Sequence, residues 1–315
     1  MQPMQEMLTH IKLPEKLLMN SQATDGFLVV DKDGGMTSHD VVAIARRALG
    51  TRKVGHAGTL DPMATGVLVL GFGNGTRLLQ YITDGDKSYS ATVVLGASTV
   101  TDDAEGEVLV SATPEKLAIV SDEMIRAELA KMFGSILQRP SSVSAVKVDG
   151  ERAHARVRAG EKFELPSREV LISQLDVLDI KREQMRICVD IAVTCSAGTF
   201  IRAIARDCGD ALGVGGHLSA LRRTRVASFT LDSAVAIENL KAGEFSVLSI
   251  ATVAEKTFPL RSIGEDEALE ISFGRSLVKN SSEEITAAIS HGELLALLKN
   301  DDAHARPIAV FAAKN

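Results

Sequence analysis

Hydrophobic positions along this chain change their period several times, and each change marks an element. Gly26-Phe27-Leu28-Val29-Val30-Asp31-Lys32 is a short apolar run rich in valine and bounded by glycine and charge, which predicts a buried strand. The spacing then turns helical. Val41, Val42, Ile44, Ala45 and Leu49 share one face, with Ser38 placed to cap the start and Gly50 to stop the end. An apolar strand over 66–71 and a short helix over 75–82 follow, and alternation over 87–95 puts Tyr89, Ala91, Val93 and Leu95 on one side. Helical spacing returns over 114–132 through Leu117, Val120, Met124, Ile125, Leu129 and Met132. Further on, strands are expected at about 168–180 and 185–195 and a returning strand over 218–229; between them, a helix over 199–212 sets Arg202 and Arg206 four apart on one face.

Four stretches break this order. Residues 1–25 have weak periodicity and read as a loosely ordered extension. Thr99–Glu107 is a polar, acidic turn region, and Arg139–Gly150 is half strand and half loop, followed by a short basic helix over Arg152–Arg158. The fourth, from Val54 to Leu68, places Gly55, Gly58 and Gly66 among apolar residues, with one acid, Asp61, followed by Pro62. Glycine permits backbone angles that other residues adopt only with strain, and proline pushes the residue before it toward extended geometry. Asp61 is therefore presented on a fixed bend. Local chemistry leaves two readings open, a turn in which Asp61 bonds its own backbone and a reactive carboxylate held out on a rigid loop.

Composition narrows the function classes. The chain has 315 residues, of which 45% are hydrophobic, enough for a sizeable core. No run approaches the roughly 18 apolar residues of a membrane span, and Glu6, His10, Lys12, Glu15 and Lys16 break up the first 25 residues, so a cytoplasmic protein is expected. The three cysteines, Cys188, Cys195 and Cys208, have neither disulfide-frame nor zinc-site spacing. The formal net charge of −6 argues against a polyanionic partner until it is divided along the chain. From Asp232 onward there are 13 acids and 8 bases, whereas Arg139–Arg168 carries 7 bases against 4 acids and Ile201–Arg225 carries 5 against 2. Basic surface is thus local.

Motifs for common chemistries are missing: there is no Walker loop, His-Glu-x-x-His, nucleophile elbow or Cys/His cluster. Gly71-Phe72-Gly73-Asn74-Gly75 is glycine-rich but lacks a phosphate-binding lysine at motif spacing. What remains is a loop aspartate, a nearby histidine, a strand tyrosine and a helical arginine. A carboxylate acts as a covalent nucleophile when an adjacent cation keeps it ionised, but spacing alone does not say which groups meet.

The string Gly55-His56-Ala57-Gly58-Thr59-Leu60-Asp61-Pro62-Met63-Ala64-Thr65-Gly66-Val67-Leu68 resembles the catalytic motif of the pseudouridine synthases that modify the T-loop of tRNA. Four more segments are similar to that family's motifs, in its order: Gly26–Lys32, Asp86-Lys87-Ser88-Tyr89, Cys195–Arg202 and His217–Arg223. Together they span about residues 26–230.

The resemblance implies an α+β fold on a mixed, largely antiparallel sheet, divided as a catalytic domain over 26–255 with an RNA-gripping insertion at about 135–165, and a small C-terminal domain over 256–315. It implies isomerisation of uridine to pseudouridine at position 55 of the tRNA T-loop, with no metal and no organic cofactor. Asp61 would be the nucleophile, Arg202 its counter-ion and Tyr89 the residue that stacks on the target base and assists removal of the C5 proton. A charge pair at about 4 Å with an effective dielectric near 20 is worth roughly 4 kcal/mol before desolvation. His56 would fill the stack vacated by the flipped base, and Lys32, Gly58, Thr59, Phe200 and Leu221 would line the pocket. Arg152, Arg156, Arg158, Arg222 and Arg223 would hold the RNA backbone. A monomer without an obligate protein partner or membrane contact is expected, and the rival reading is a tRNA-binding or tRNA-folding protein that uses the same cleft without turnover. Two residues depart from the family's pattern, Phe200 where tyrosine is usual and Asp33 where proline is usual. Residues 260–315 do not clearly show the RNA-binding module that often ends such enzymes.

Overall fold

The computed structural model describes residues 23–141, 147–148, 151–152 and 165–311. Its centre is a ten-stranded sheet. Along the main path lie Val235–Ala236, Gly26–Lys32, Thr65–Phe72, Gly216–Val226, Lys87–Leu95, Arg186–Cys195, Arg168–Glu183 and Gly134–Gln138, in that order. Val54–His56 pairs beside Thr65–Phe72, and Phe229–Thr230 beside Gly216–Val226. All pairings are antiparallel except two short parallel ones, Val30 with Val235 and Arg222 with Thr65.

The apolar runs are explained by what covers the sheet. Along Gly26–Lys32, Leu28 and Val30 enter one buried cluster while Phe27 and Val29 enter another, and along Thr65–Phe72, Leu68 and Leu70 separate in the same way from Val67 and Val69. A strand covered on both faces has no polar side to alternate with. On one face pack the helices Ser38–Ala48 and Ile201–Ala211; on the other, Ala251, Val253 and Ala254 of the helix Ile250–Thr257. Tyr89, Ala91, Val93 and Leu95 fall on the same side, against the first cluster. A separate five-stranded sheet, Leu260–Ser262, Thr286–Ser290, Glu293–Asn300, His304–Val310 and Leu277–Val278, holds its own small core around Ile271, Ala288 and Leu298.

Four expectations are corrected. Thr37, not Ser38, caps the first helix, in a reciprocal capping box with Asp40. Ser38 is buried and instead exchanges hydrogen bonds with the backbone of Leu60, accepting from its N–H at 2.9 Å and donating to its carbonyl at 3.2 Å. The helix expected over 114–132 is two, Pro114–Ala118 capped by Thr113 and Asp122–Ala130 capped by Ser121, because a second hydroxyl offers the chain a fresh N-terminus. The helix over 75–82 is displaced: the segment begins as a 3₁₀ turn, Gly73–Arg77, before the helix Leu79–Asp84. Arg152 belongs to a two-residue strand, Glu151–Arg152, paired with Lys147–Val148, rather than to a helix, and Arg156 and Arg158 lie outside the described residues.

Candidate active site

The bend carrying Asp61 is held from three directions. Ser38 fixes Leu60 as above, the Lys32 ammonium donates to the carbonyl of Pro62 at 3.2 Å, and Gly35 N–H donates to the same carbonyl at 2.9 Å. From below, Arg223 donates to the carbonyls of Gly58 at 3.1 Å, Thr59 at 3.3 Å and Val67 at 2.8 Å. Gly66, at φ +101°, lets the chain pass over Arg223: a Cβ there would lie 2.2 Å from the Arg223 carbonyl oxygen. The Asp61 carboxylate reaches a side chain of a helix 141 residues further along the chain.

That helix is Ile201–Ala211, and the guanidinium is Arg202. Its Nε lies 2.9 Å from Asp61 Oδ2 and its Nη2 donates to Asp61 Oδ1 at 3.2 Å. Arg202 is also gripped from behind, where Nη1 donates to the Thr101 carbonyl at 2.6 Å and to Asp103 Oδ2 at 3.2 Å. The Asp61 side chain is 34% exposed while Arg202 and Asp103 are at 5% and 4%, so the cation is buried and only the outer carboxylate opens to solvent. One turn on, Arg206 pairs with Asp102 at 3.2 Å, and Asp102 adopts a left-handed φ of 59° to make the contact. Burial raises the Asp102 carboxyl above its ordinary range, against the pull of Ser141 and Arg206. Reading Thr99–Glu107 as a plain acidic turn missed this clamp. The available signal was two adjacent acids facing two arginines at helical spacing.

Above the pair opens a cleft of about 340 Å³, lined among others by Gly58, Thr59, Asp61, Lys87, Tyr89, Arg168, Phe200, Arg202 and Leu221. This lies within the usual range for a small-ligand site, roughly 300–1,000 Å³. Tyr89 is pushed above the ordinary phenol pKa by burial, which keeps its hydroxyl protonated at neutral pH. Phe200 is fixed by Gln138, which donates to its carbonyl at 3.0 Å and accepts from its N–H at 2.7 Å. Lys87, missed in the sequence, is buried, donates to the carbonyls of Thr83 and Gly85, and is lowered to about 8 by burial.

Other expected site residues are not where the sequence put them. Lys32 does not line the cleft; it is fully buried beneath the bend, with its ammonium on the carbonyls of Asp33, Met36 and Pro62. Arg223 is 1% exposed and its donors are taken by backbone carbonyls, so it has no surface to offer RNA. Arg222, beside it, is bound by Asp31 at 2.7 and 3.0 Å. His56, expected at the vacated stack and not in the pocket wall, stands outside the cleft lining, edge-on to His39 at 5.6 Å between ring centroids, and burial lowers its pKa, leaving a neutral ring. Among the described residues no group of three or more His, Cys, Asp or Glu is placed to hold a metal, and no helix is long and apolar enough to cross a membrane.

A largely antiparallel sheet with an aspartate–arginine pair beside a nucleoside-sized cleft is the arrangement that the resemblance to pseudouridine synthases implies. In fold the chain is similar to solved proteins of a Cbf5–Nop10–Gar1 complex (TM-score 0.68, 24% identity, 92% of this chain and 86% of that one) and of an archaeal box H/ACA sRNP Nop10–Cbf5 complex (TM-score 0.68, 22%, 96% and 94%). Residues 46–201 match the TruB family pseudouridylate synthase N-terminal domain, residues 202–248 the tRNA pseudouridylate synthase B C-terminal domain, and residues 258–312 the tRNA pseudouridine synthase II C-terminal domain. The chain is 49% identical to tRNA pseudouridine synthase B of Corynebacterium diphtheriae over 94% of its own length and 99% of that protein's. It is 52% identical to tRNA pseudouridine synthase B of Arthrobacter sp., over 92% and 97%. This chain belongs to the TruB family of pseudouridylate synthases. Its last fifty or so residues are thus a family C-terminal domain, which their composition did not reveal.

Proposed function

We propose that this enzyme converts uridine to pseudouridine in tRNA, at position 55 of the T-loop, with Asp61 as the nucleophile. The observation that carries the reading is the Asp61–Arg202 pair, in which a half-buried carboxylate is anchored 2.9 Å from a buried guanidinium at the floor of the cleft. The relatives named tRNA pseudouridine synthase B supply the substrate class. Asp61 attacks the uridine at C1′ of the ribose or C6 of the base, the N1–C1′ bond breaks, the uracil turns, C5 joins C1′, and the Asp61–carbon bond breaks to return the carboxylate, while the C5 proton is lost and N1 gains one. Atoms and electrons balance within the substrate, so no redox partner takes part.

Tyr89 supports the flipped base with its ring, a contact worth roughly 1–3 kcal/mol. Burial raises its pKa, so its hydroxyl is neutral when the base enters. The neutral ring of His56 fills the stack the base leaves, offsetting part of the few kcal/mol of unstacking. The work is cytoplasmic, where tRNA is modified, and a monomer suffices because both members of the pair come from one chain.

A tRNA transcript assayed for pseudouridine tests the reading. The intact protein is expected to form it at one T-loop position, and Asp61→Asn is expected to bind tRNA but form none. A protein that binds tRNA and yields no pseudouridine would leave only the reading of a tRNA-binding or tRNA-folding protein.

A further inference from the structure

Four cations line the cleft among the described residues: Lys87, Arg168, Arg202 and Arg223. Three have their charge or donors engaged within the fold. Arg202 lies between Asp61 and Asp103, Arg223 donates to Gly58, Thr59 and Val67, and Lys87 donates to Thr83 and Gly85. Arg168 differs. Its guanidinium carbon lies 4.6 Å from the centroid of the Phe200 ring, and among the described residues its buried Nε has no acceptor and no ion pair reaches it. Burial moves its pKa downward, with no carboxylate among the described residues opposing. Arg168 is half-buried, and partial loss of water without a counter-charge is unfavourable for a cation, while stacking on an aromatic face does not replace hydrogen-bond acceptors for the in-plane N–H groups.

A second observation points the same way. The helix Ile201–Ala211 opens at Phe200 with no side-chain cap and no acid in its first turn. Its positive end therefore adds to the field of Arg168 at the same wall of the cleft. Uracil is neutral, so the base does not balance this wall. The anion that a flipped nucleotide carries into a cleft is its phosphodiester.

We infer that Arg168, stacked on Phe200 at the cleft wall, is a substrate-binding residue that takes one of the two phosphates flanking the target uridine. The inference rests on the pseudouridine synthase reading. It moves Arg168 from the basic arm, where the sequence ran it together with Arg139–Arg158, to the inner wall of the site. Phe200 acquires a use that needs no hydroxyl, as the platform that keeps the guanidinium flat with its N–H edge open. A planar fork suits a phosphate better than a lysine does.

The test uses the full chain and a T-arm stem-loop RNA in which each flanking phosphate, in turn, is replaced by a neutral methylphosphonate. Binding is measured against salt, and pseudouridine formation is followed in parallel. Arg168→Met is expected to weaken binding on the order of tenfold and to flatten the salt dependence by one contact, a slope change of about 0.7–0.9. Arg168→Lys is expected to restore the slope. One of the two methylphosphonates is expected to weaken wild-type binding as much as Arg168→Met does and to have no further effect on that variant. Full additivity at both positions, or an unchanged salt slope in Arg168→Met, overturns the inference. If the wild-type protein turns over the stem-loop while those losses add, only the phosphate assignment fails; if it forms no pseudouridine, the functional reading fails instead.

Discussion

Replacing Lys32 with methionine keeps the aliphatic stem and removes the ammonium that ties the loop after the first strand to the Asp61 bend. In the native protein that ammonium is fully buried and donates at 2.9 Å to Asp33, 2.7 Å to Met36 and 3.2 Å to Pro62. Burial lowers its pKa from 10.5 to about 8, outweighing the nearby Asp61 and Asp33. At about 1.4 kcal/mol per unit, that difference is a charging penalty of about 3 kcal/mol at neutral pH. Each bond from a charged donor contributes roughly 1.5–3 kcal/mol. Losing three while relieving the penalty leaves the variant less stable by between about 2 and 6 kcal/mol near pH 7.

The pH dependence gives the sharper check. Because the folded pKa lies below the unfolded one, the unfolded chain binds more protons between about pH 8 and 10.5. The wild type should therefore gain up to about 3 kcal/mol over the variant across that window, and nothing below it. Urea unfolding of both proteins at pH 7, 8, 9 and 10 measures this, and taking the difference removes other titrating groups. A gap that stays flat or narrows as pH rises would show that Lys32 remains charged throughout and that burial does not dominate it. Pseudouridine formation by the variant is expected to fall more than tRNA binding, since the loosened bend carries the Asp61 carboxylate while the opposite wall around Phe200 is untouched.

Two further outcomes follow from the same contacts. Gly66→Ala should lower Tm by about 5 °C or more, because at φ +101° its Cβ would meet the Arg223 carbonyl at 2.2 Å, backbone against backbone; an unshifted melting curve would contradict the close approach. Asp103→Asn should reduce kcat about 10- to 100-fold with KM for tRNA changed less than about twofold, because it frees the rear of Arg202, 3.2 Å away, and leaves the cleft lining intact. Steady-state kinetics separate the two terms, and a loss confined to KM would mean that Asp103 touches RNA rather than the guanidinium.

The strands were legible because alternation and apolar runs are local properties: Lys87–Leu95 has the bounds its pattern suggested, and Tyr89 shares the core-facing side with Leu95. The Asp61–Arg202 pair, 141 residues apart, was not available from spacing and came only through resemblance. The buried cations were misread for a different reason. A lysine or arginine in a sequence carries the same charge whether its donors meet phosphate or the carbonyls of the protein's own loops, and which it meets depends on carbonyls that only the folded chain brings near. For Arg222 and Arg223, however, a local signal existed. Neighbours on a strand point to opposite faces, so Arg223 shares a side with Leu221, and the pairing with Ser90 and Tyr89 shows no bulge between them. Leu221 was assigned to the cleft interior, and that assignment already committed Arg223 to the same protected face and left Arg222 alone toward the other side, where Asp31 binds it. Parity separates arginines that support the site from those able to reach a ligand, and charge counting along the chain does not.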